Sequence, residues 1–390
     1  MFKHHFVQPY FVVLFISASL GCQYFKSSNA TAASGSSSAS TSSPGSGKSE
    51  APKPRYLPQF NPEDKEALHP RGLDLNATLS TIAFGSCANQ DAPQPLWNEI
   101  LKNDPQLFLF MGDNIYASKA EQKPASEQYK KLNKIPEYKK ARESIPFMAT
   151  WDDHDYGVND GGANNPDKIQ AQKDFSNYWR YIKDSIPLNQ EGIYHSKLLG
   201  PNKKTVLVIM LDTRYFRSPL VPANDPNNPK LKYLPNKDKK STLLGEKQWQ
   251  WLEAQLRRKA DLTIVVSSIQ MLAETPGFEK WGNFPHEKER FFNTLKKTRA
   301  KNVFIFSGDR HIGFMSEEKI NGWGTLYEVS SSSINRPTDL SEEDPAYLFP
   351  IYNQENFALM KIDWQTHKIF FELRNSKNSV VHSLAVPGKF

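Results

Sequence analysis

Short runs of apolar residues, most of them β-branched or aromatic, alternate with longer amphipathic stretches along this chain. Such alternation is typical of an α/β fold, in which strands and helices pack as separate layers. Six of the runs end in polar or ionisable residues: Leu79–Phe84, Leu107–Met111, Ile145–Thr150, Val206–Leu211, Leu262–Val266 and Val303–Phe306. Because the carboxyl ends of strands in open α/β sheets meet in one crevice, the pattern predicts a single site built from these ends.

The stretches between these runs predict helices with one buried face. In Gly245–Leu256 the apolar residues Trp249, Leu252 and Leu256 recur at helical spacing and are expected to face the core. The same is expected of two other sets, which are Phe175, Tyr178 and Trp179, and Phe291, Phe292 and Leu295. Near the C-terminus, Phe357–Ile362 and Ile369–Leu373 predict a closing hairpin.

The first 55 residues predict export and a tether rather than a folded domain. The apolar run Phe11–Leu20 follows Lys3 and is too short to span a bilayer, so residues 1–21 match a signal peptide. Residues 22–55 are rich in Ser, Gly, Ala and Pro, as flexible tethers are. Residues 56–390 are then the folded domain.

Two processing routes remain open for this leader. Ser19–Cys22 resembles a bacterial lipobox, although Ser19 stands where Leu is usual. Lipidation of Cys22 would anchor the protein to a membrane of the bacterial cell envelope. Ala30–Ala32 instead offers an ordinary cleavage site, which would discard Cys22 and leave a periplasmic or secreted protein.

Composition narrows the classes of function. The 390 residues are 38% hydrophobic and 23% charged, which excludes a disordered chain and a membrane bundle. The net charge of +7 mildly favours anionic ligands, but no Arg-rich arm or basic helix with interleaved aromatics predicts a nucleic-acid-binding module. Two cysteines, Cys22 and Cys87, are too few for a disulfide-supported scaffold. The chain has the balance of an enzyme-sized globule.

The densest group of ionisable residues is Trp151–Asp155, which contains Asp152, Asp153 and His154 and precedes Asn159. Three carboxylates this close repel one another and cannot be buried unless cations neutralise them. For this motif alone, a solvated acidic turn is the alternative interpretation.

Two other strand ends favour a metal site. Gly112–Tyr116 places Asp113 and Tyr116 about one helical turn apart and so on one side. Asp309 and His311 alternate after the last run, and in an extended segment they would face the same way. A structural turn with a core tyrosine is the alternative for the first pair.

Cys87 bears on the choice of metal. Thiolate joins phenolate, imidazole and carboxylate around transition metals, whereas the surplus carboxylate and amide oxygens suit a harder ion such as calcium. The alternative for Cys87 is a small buried hydrophobic residue. An unprotected thiol in an exported protein is open to oxidation, so burial or metal binding is expected. The donor set leads to the hypothesis of a mixed-metal centre.

These motifs, in this order, resemble the alkaline phosphatase D (PhoD-type) family of metallophosphatases. The resemblance runs from about Thr78 to the C-terminus. It rests on seven ordered blocks: Gly85–Cys87, Gly112–Tyr116, Trp151–Asp155, Leu211–Arg214, Leu244–Gln248 with Trp251 and Leu252, Ser267–Gln270, and Ser307–His311. It implies an α/β metallophosphatase fold, a two-sheet β-sandwich flanked by helices, and an exported hydrolase of phosphate esters.

The resemblance also implies a centre of Fe³⁺ and Ca²⁺. Its implied iron ligands are Cys87, Asp113, Tyr116, Asp309 and His311. Asp113 would bridge to calcium, where Asp153 joins it, followed by Asp152 and Asn159. The chain departs from many metallophosphatases by carrying Asp153 in place of Asn and Gln270 in place of a metal-binding His.

The chemistry of phosphoesters gives roles to other residues. Ester anions repel hydroxide, and paired cations overcome this by holding the ester oxygens and activating a water as hydroxide. His154, flanked by carboxylates expected to raise its pKa, is predicted to protonate the leaving alkoxide or bind the phosphoryl group. Arg214 is predicted to clamp phosphate, with Arg310 as a second candidate and a salt bridge as the alternative for Arg214.

The identity of the ester stays open between phosphate monoesters and diesters. A phosphodiesterase or phospholipase D-like specialist is one alternative function, and a non-catalytic, calcium-binding surface lipoprotein is another. The segment Tyr129–Arg142 is either a basic rim that attracts anionic substrates or a solvated helix face.

Overall fold

The computed structural model describes residues 68–388. The predicted signal peptide, the tether, Cys22 and the start of the folded domain at residue 56 lie outside the described residues. No helix among residues 68–388 combines the length and apolar character needed to cross a membrane.

Strands and helices alternate through the described chain as the sequence predicts. The strands are β1 (Thr81–Gly85), β2 (Leu107–Met111), β3 (Phe147–Thr150), β4 (His195–Leu199), β5 (Val206–Met210), β6 (Val221–Pro222), β7 (Tyr233–Leu234), β8 (Leu262–Ser267), β9 (Val303–Ser307), β10 (Gly313–Ile320), β11 (Gly324–Ser331), β12 (Asn356–Asp363), β13 (Lys368–Asn375) and β14 (Val380–Pro387). The α-helices are α1 (Leu96–Leu101), α2 (Ala125–Asn133), α3 (Pro136–Ser144), α4 (Asp153–Tyr156), α5 (Lys168–Tyr178), α6 (Gly245–Leu256) and α7 (Pro285–Thr298). All six apolar runs form strands, namely β1, β2, β3, β5, β8 and β9.

Two six-stranded mixed sheets carry the fold. The first has the order β14-β13-β12-β1-β2-β3, and the second has the order β10-β11-β9-β8-β5-β4. Within the first sheet β1, β2 and β3 are parallel, with Ile82 opposite Leu107. Within the second, β5, β8, β9 and β11 are parallel. The parallel strands therefore form one half of the first sheet, where β3 is the edge strand, and the middle of the second sheet, and their carboxyl ends meet at one edge of the molecule.

The two sheets pack face to face around an apolar layer. The rings of Phe84 on β1 and Phe306 on β9 stack across this layer with centroids 3.8 Å apart. Leu107 and Leu109 face the same layer, whereas the alternate residues Phe108 and Phe110 of β2 face the helices on the outside. This period of two is why β2 reads as one continuous apolar run: both of its faces are buried.

Helices cover the outer face of each sheet. Trp97 of α1 packs on the first sheet, edge to face with Phe108 at 5.0 Å. On the second sheet, α6 buries Trp249, Leu252 and Leu256 as predicted. Most of the other predicted core aromatics are also buried, while Tyr178 and Phe292 are only partly buried. The predicted α/β sandwich flanked by helices is confirmed.

The C-terminal hairpin is confirmed as β12 and β13, but it does not close the sheet. Strand β14 adds a further antiparallel partner to β13. Its side chains are mostly exposed or half-buried, with the exception of Val386. An edge strand needs no continuous apolar run, and so the sequence pattern did not predict it.

The basic segment Tyr129–Arg142 forms parts of α2 and α3, which Pro136 separates. Its aromatic residues Tyr129 and Tyr138 are buried, while Lys130, Lys131 and Lys140 are exposed. None of its residues lines the cavity described below. The geometry favours the solvated helix face over the basic rim.

Candidate metal centre

The loops that follow the parallel strands bring together donors from opposite ends of the sequence. Cys87 follows β1, Asp113 follows β2, Asp153 begins α4 just after β3, and Asp309 and His311 follow β9. Each of the three carboxylates follows a buried strand by two or three residues, which fixes its backbone.

A first group combines sulfur, oxygen and nitrogen donors. One ligand atom each from Cys87, Asp113 and His311 lies within 4.8 Å of the others. The Tyr116 hydroxyl lies 3.3 Å from Asp113 Oδ2 and 3.2 Å from His311 Nε2, so the phenol belongs to this group. The Ser332 hydroxyl lies 3.2 Å from Cys87 Sγ and accepts a hydrogen bond from the His311 N–H at 2.9 Å. Sequence reasoning did not single out Ser332.

A second group is dominated by carboxylates. Asp113 shares a 4.8 Å cluster with Asp153 and His154, and a further cluster joins Asp152, Asp153 and Asp309. Asp113 therefore lies in both the sulfur-containing and the carboxylate-rich groups. Asp309, which the resemblance assigns to iron, clusters instead with the carboxylates.

The backbone is strained at these donors. Cys87, Asp113, Asp309 and His311 have φ values of 61°, 47°, 73° and 58°, in the left-handed region that side-chain-bearing residues rarely adopt. Each such residue costs on the order of 1–3 kcal/mol, and strain of this kind concentrates at functional sites. The left-handed turns point the donors out of the strand ends toward one another.

Gly112 allows the close approach of two of these loops. Its φ is 107°, and a Cβ built there would lie 2.6 Å from Asp152 Cβ and 3.1 Å from Ser268 Cβ. Any side chain at this position would push the Asp152 loop away from Asp113. The Gly-Asp pair noted in the sequence thus has a steric reason.

Asp155 positions the site without reaching into it. Its Oδ2 accepts hydrogen bonds from the Asn114 backbone and side chain and from the Asp152 N–H, while Oδ1 accepts one from Tyr129. The bonds from Asn114 join the loop after β2 to the start of α4, and the bond from the Asp152 N–H belongs to a capping box at this start. Burial raises the pKa of Asp155 to about 7, although these hydrogen bonds oppose the shift.

Burial makes the clustered acids hard to ionise without a cation. Burial, with the neighbouring carboxylates, raises the pKa values of Asp113 and Asp309 well above their ordinary range. Burial raises the pKa of Asp152 to about 8, even though Arg214 acts in the opposite direction. Burial also acts to raise the pKa of Asp153, but His154 and Arg214 hold it below its ordinary value.

Burial also disfavours the charged forms of the thiol, phenol and imidazole donors. Burial first, and then Asp113, raises the pKa of the Cys87 thiol, and burial raises the pKa of the Tyr116 phenol. Burial, with Arg336, lowers the pKa of His311 to about 3. The imidazole is thus neutral and able to ligate, while thiol and phenol need a strong positive charge nearby to ionise.

The donor set fits resident metal ions. Asp152 Oδ2 and Asp153 Oδ1 are buried and have no hydrogen-bond partner, so each keeps a free lone pair within the cluster. Cations would both satisfy these oxygens and offset the repulsion between the carboxylates. The mixture of S, N and phenol oxygen on one side and carboxylates on the other suits two kinds of metal.

A cavity of about 460 Å³ opens above the cluster. Asp113, Asp153, His154, Asp309 and His311 form its floor, and its other lining residues are Asn159, Asp160, Lys232, Tyr233, Phe278, Glu279, Arg310, Thr338 and Leu340. The imidazole of His154 packs against the Tyr116 ring with centroids 4.3 Å apart. Asn159 is exposed at the cavity edge, where its amide donates to Asp160 at 3.0 Å.

The expected rise in the pKa of His154 is wrong. Burial lowers the pKa of His154, and Arg336 and Arg214 add to this, outweighing the attraction of Asp153. The sequence shows the flanking carboxylates but not the depth of the side chain. A neutral imidazole here still offers one N–H to the cavity side of the cluster.

The PhoD-like phosphatase family model matches residues 82–362, which is most of the chain. The chain belongs to the PhoD-like phosphatase family. The match begins within β1 and ends within β12, and it therefore contains every donor described above.

Known proteins are similar to this PhoD-like chain in sequence and in fold. It is 25% identical over 300 residues to alkaline phosphatase D of Bacillus subtilis (strain 168), a match that covers 66% of this chain and 49% of that protein. The chain thus spans about half the length of that curated relative. The solved structure of PhoD matches with a TM-score of 0.59 and 19% identity, over 80% of this chain and 70% of that one.

A further structure shares the fold of this PhoD-like chain at lower identity. GAP50, the anchor in the inner membrane complex of Plasmodium, matches with a TM-score of 0.51 and 14% identity, covering 80% of this chain and 90% of that one. At these identities the structural matches show the fold alone.

Arg214 does not reach the cavity of this PhoD-like domain. Its guanidinium is fully buried and forms ion pairs of 2.5 Å with both Asp152 and Glu279. Ser268 donates a second hydrogen bond to the same Asp152 oxygen at 2.5 Å. The salt-bridge alternative describes Arg214, because two carboxylates already occupy the groups that would clamp a phosphate.

Glu279 is the residue at this point that sequence reasoning missed. It is 1% exposed, pairs with Arg214 and Arg217, and lies in an irregular segment with no apolar run before it. No local pattern marks such a residue, since its role depends on contacts with Arg214 and Arg217, more than 60 positions away in the sequence.

We expect Arg214→Met to lower the free energy of unfolding by about 3–5 kcal/mol, because it leaves Asp152 and Glu279 buried without their cation. Urea unfolding of the metal-loaded protein measures this, with the exposed Arg258→Met as the matched control. Unchanged stability together with weaker phosphate binding would restore the phosphate-clamp role.

Proposed function

We propose that this protein is an exported, metal-dependent phosphoesterase. The observation that carries the proposal is the convergence of Asp113, Asp153, Asp309 and His311 on the floor of one cavity, with Cys87 clustered beside Asp113 and His311. Membership in the PhoD-like phosphatase family supports it. Scaffolds that need no metal do not gather strained, buried donors of this kind, because their mutual repulsion would cost stability.

The proposed metals are Fe³⁺ and Ca²⁺. Cys87, Tyr116 and His311 would hold the iron together with Asp113, since thiolate, phenolate and imidazole suit a transition metal. Asp152, Asp153 and Asp309 would hold the calcium with hard oxygen donors, joined by Asn159 if its loop turns inward. This division follows the clusters and moves Asp309 from the iron side to the calcium side.

Bound metals would neutralise the ester oxygens and lower the pKa of the attacking water. The protein's own part is to hold and orient the ester. His154 lines the cavity beside Asp153, and the Tyr116 ring limits the rotation of its imidazole. The N–H of the neutral imidazole would bind a phosphoryl oxygen, and the imidazolium formed on protonation would give its proton to the leaving alkoxide.

The cavity has room for more than a phosphate group. Its outer wall combines the rings of Tyr233 and Phe278 with Leu340, and it also carries Lys232. A wall of this kind can pack against the alcohol portion of an ester. A cavity of this size would accept both diesters and monoesters of a bulky alcohol. Phosphate esters of small alcohols would leave most of the cavity filled with water.

The first test combines metal analysis with a hydrolysis screen. We expect protein purified without chelators to hold near-stoichiometric iron and calcium by plasma mass spectrometry, with a visible tyrosinate or thiolate charge-transfer band. Tyr116→Phe should remove the phenolate part of the band. Tyr178→Phe is the matched control, because Tyr178 is a hydrogen-bonded core tyrosine on α5.

The same preparation is assayed against p-nitrophenyl phosphate and its bis ester. Faster cleavage of the bis ester would favour the phosphodiesterase or phospholipase D-like specialist. Metal-replete protein that cleaves neither these esters nor a wider phosphoester panel would sink the enzyme proposal and favour the calcium-binding surface lipoprotein. Zinc alone would overturn the iron and calcium assignment.

His154→Ala should lower kcat by about two to four orders of magnitude, the usual contribution of a positioned acid or base, while metal content stays nearly intact. If His154 protonates the leaving group, the loss will be greatest for esters of weakly acidic alcohols. His382→Ala on β14 is the control. Parallel loss of metal and activity would make His154 a metal ligand instead.

Export with lipidation of Cys22 is the proposed location, based on the apolar run and the lipobox-like Ser19–Cys22. We expect the mature protein to begin at a diacylglyceryl-modified Cys22 and to sediment with membranes, and Cys22→Ser to abolish both. Mass spectrometry of the mature N-terminus decides this. A mature chain beginning at Ala33 would show ordinary cleavage after Ala30–Ala32.

A further inference from the structure

The arginines beside the candidate metal centre differ in whether a carboxylate of the protein forms an ion pair with them. Arg214 pairs with Asp152, Arg217 with Glu279 and Arg310 with Glu342. A guanidinium held by a carboxylate has given up the N–H groups and the charge that a phosphate would need. Arg214 and Arg217 therefore serve mainly to neutralise buried acids, and Arg310, although it lines the cavity, is already paired with a half-buried acid.

Arg336 is different. Within residues 68–388 no carboxylate forms an ion pair with it, and its guanidinium lies over the Tyr116 ring, 4.1 Å from the ring centroid. The side chain is half-buried rather than free in solvent. A half-buried guanidinium without an anionic partner is costly unless an anion arrives from outside.

The position of Arg336 is fixed by the residues before it. The Ile334 and Asn335 N–H groups donate to the Ser86 and Cys87 carbonyls at 3.0 and 3.5 Å. The Asn335 side chain accepts from the Asn89 N–H at 2.7 Å and donates to the Asn89 carbonyl at 2.9 Å. The segment is thereby bound to the loop that carries Cys87.

The residues after it lead into the cavity. Pro337 restricts the backbone of Arg336 to extended conformations, and Thr338 lines the cavity. The Tyr116 ring beneath Arg336 packs in turn against His154, which also lines the cavity. Arg336 is not itself among the residues that line the cavity, but it lies two positions before Thr338, which is, and one aromatic ring away from the clustered donors.

We propose that Arg336 binds the phosphate group of the substrate. A guanidinium stacked on a ring keeps the N–H groups along its edge available, and these match two oxygens of one phosphate. Its charge also adds a cation on the side of Cys87 and Tyr116, opposite the carboxylate-rich group. The assignment rests on the proposed phosphoesterase function and gives its phosphate a protein ligand that Arg214 cannot provide.

Calorimetric titration of the metal-loaded full chain with inorganic phosphate tests the assignment without relying on turnover. A pair of hydrogen bonds to a charged group corresponds to about 10- to 100-fold in affinity, so Arg336→Met should weaken phosphate binding by this factor. Arg336→Lys keeps the charge but loses the two-pronged geometry, so its phosphate affinity should lie between those of the wild type and Arg336→Met. In hydrolysis, Arg336→Met should raise KM and lower kcat/KM.

Arg290→Met is the matched control, because Arg290 is also half-buried and stacked on an aromatic ring, that of Trp249, on α7. It should bind phosphate like the wild type. Metal content is measured for every variant. Phosphate affinity of Arg336→Met within twofold of the wild type would overturn the assignment, and so would loss of metal from this variant, since Arg336 would then only support Tyr116.

The two proposals fail differently. Wild-type protein that binds phosphate through Arg336 but cleaves no ester would overturn the enzymatic function and leave the phosphate ligand standing. Ester cleavage that Arg336→Met does not impair, with unchanged phosphate affinity, would overturn the ligand alone. Wild-type protein that binds no phosphate would overturn the ligand assignment, and the hydrolysis screen would still decide the enzymatic function.

Discussion

Asp113, Asp152 and Asp153 are buried and Asp309 is half-buried beside them, so close together that their charges cannot all be present without cations. The surrounding structure is organised around this repulsion. Arg214 compensates one side from within the protein, held by Glu279 behind it. The remaining negative charge faces a cavity that a metal can enter. The same cluster therefore lowers the stability of the metal-free protein and provides a binding site for cations.

The sandwich supplies the rigidity that holds these charges together. Strands β2 and β9 are buried along their whole length and β1 is buried except at its first residue, and the donors follow each strand by a few residues at most. Left-handed φ values at Cys87, Asp113, Asp309 and His311 persist only because packed strands and cross-loop hydrogen bonds define the backbone around them. The backbone strain is confined to these loops, and the packing of the two sheets offsets its free energy.

Charge around the cavity is divided between two tasks. Arginines that face the carboxylates are consumed in ion pairs, while Arg336, on the side of Tyr116, has no such pair among the described residues. The pKa of His154 shows the same division, because burial, Arg336 and Arg214 together outweigh its acidic neighbours. An anionic substrate would therefore meet unpaired arginine charge on the side of Tyr116.

The sequence by itself determined the strands, the helices with buried faces, and the identity of most donors, because all three depend on the local pattern of residues. A strand buried on both faces must be a continuous apolar run, and a Gly-Asp or Asp-His turn at its end is visible without coordinates. Only the tertiary structure decided the roles of Arg214, Glu279, Ser332 and Arg336. Whether an arginine meets a carboxylate or an open cavity depends on residues distant in the chain, and burial sets the pKa of His154 more strongly than its sequence neighbours do. The edge strand β14 also escaped prediction, since a strand with one paired edge and exposed faces leaves little hydrophobic signal.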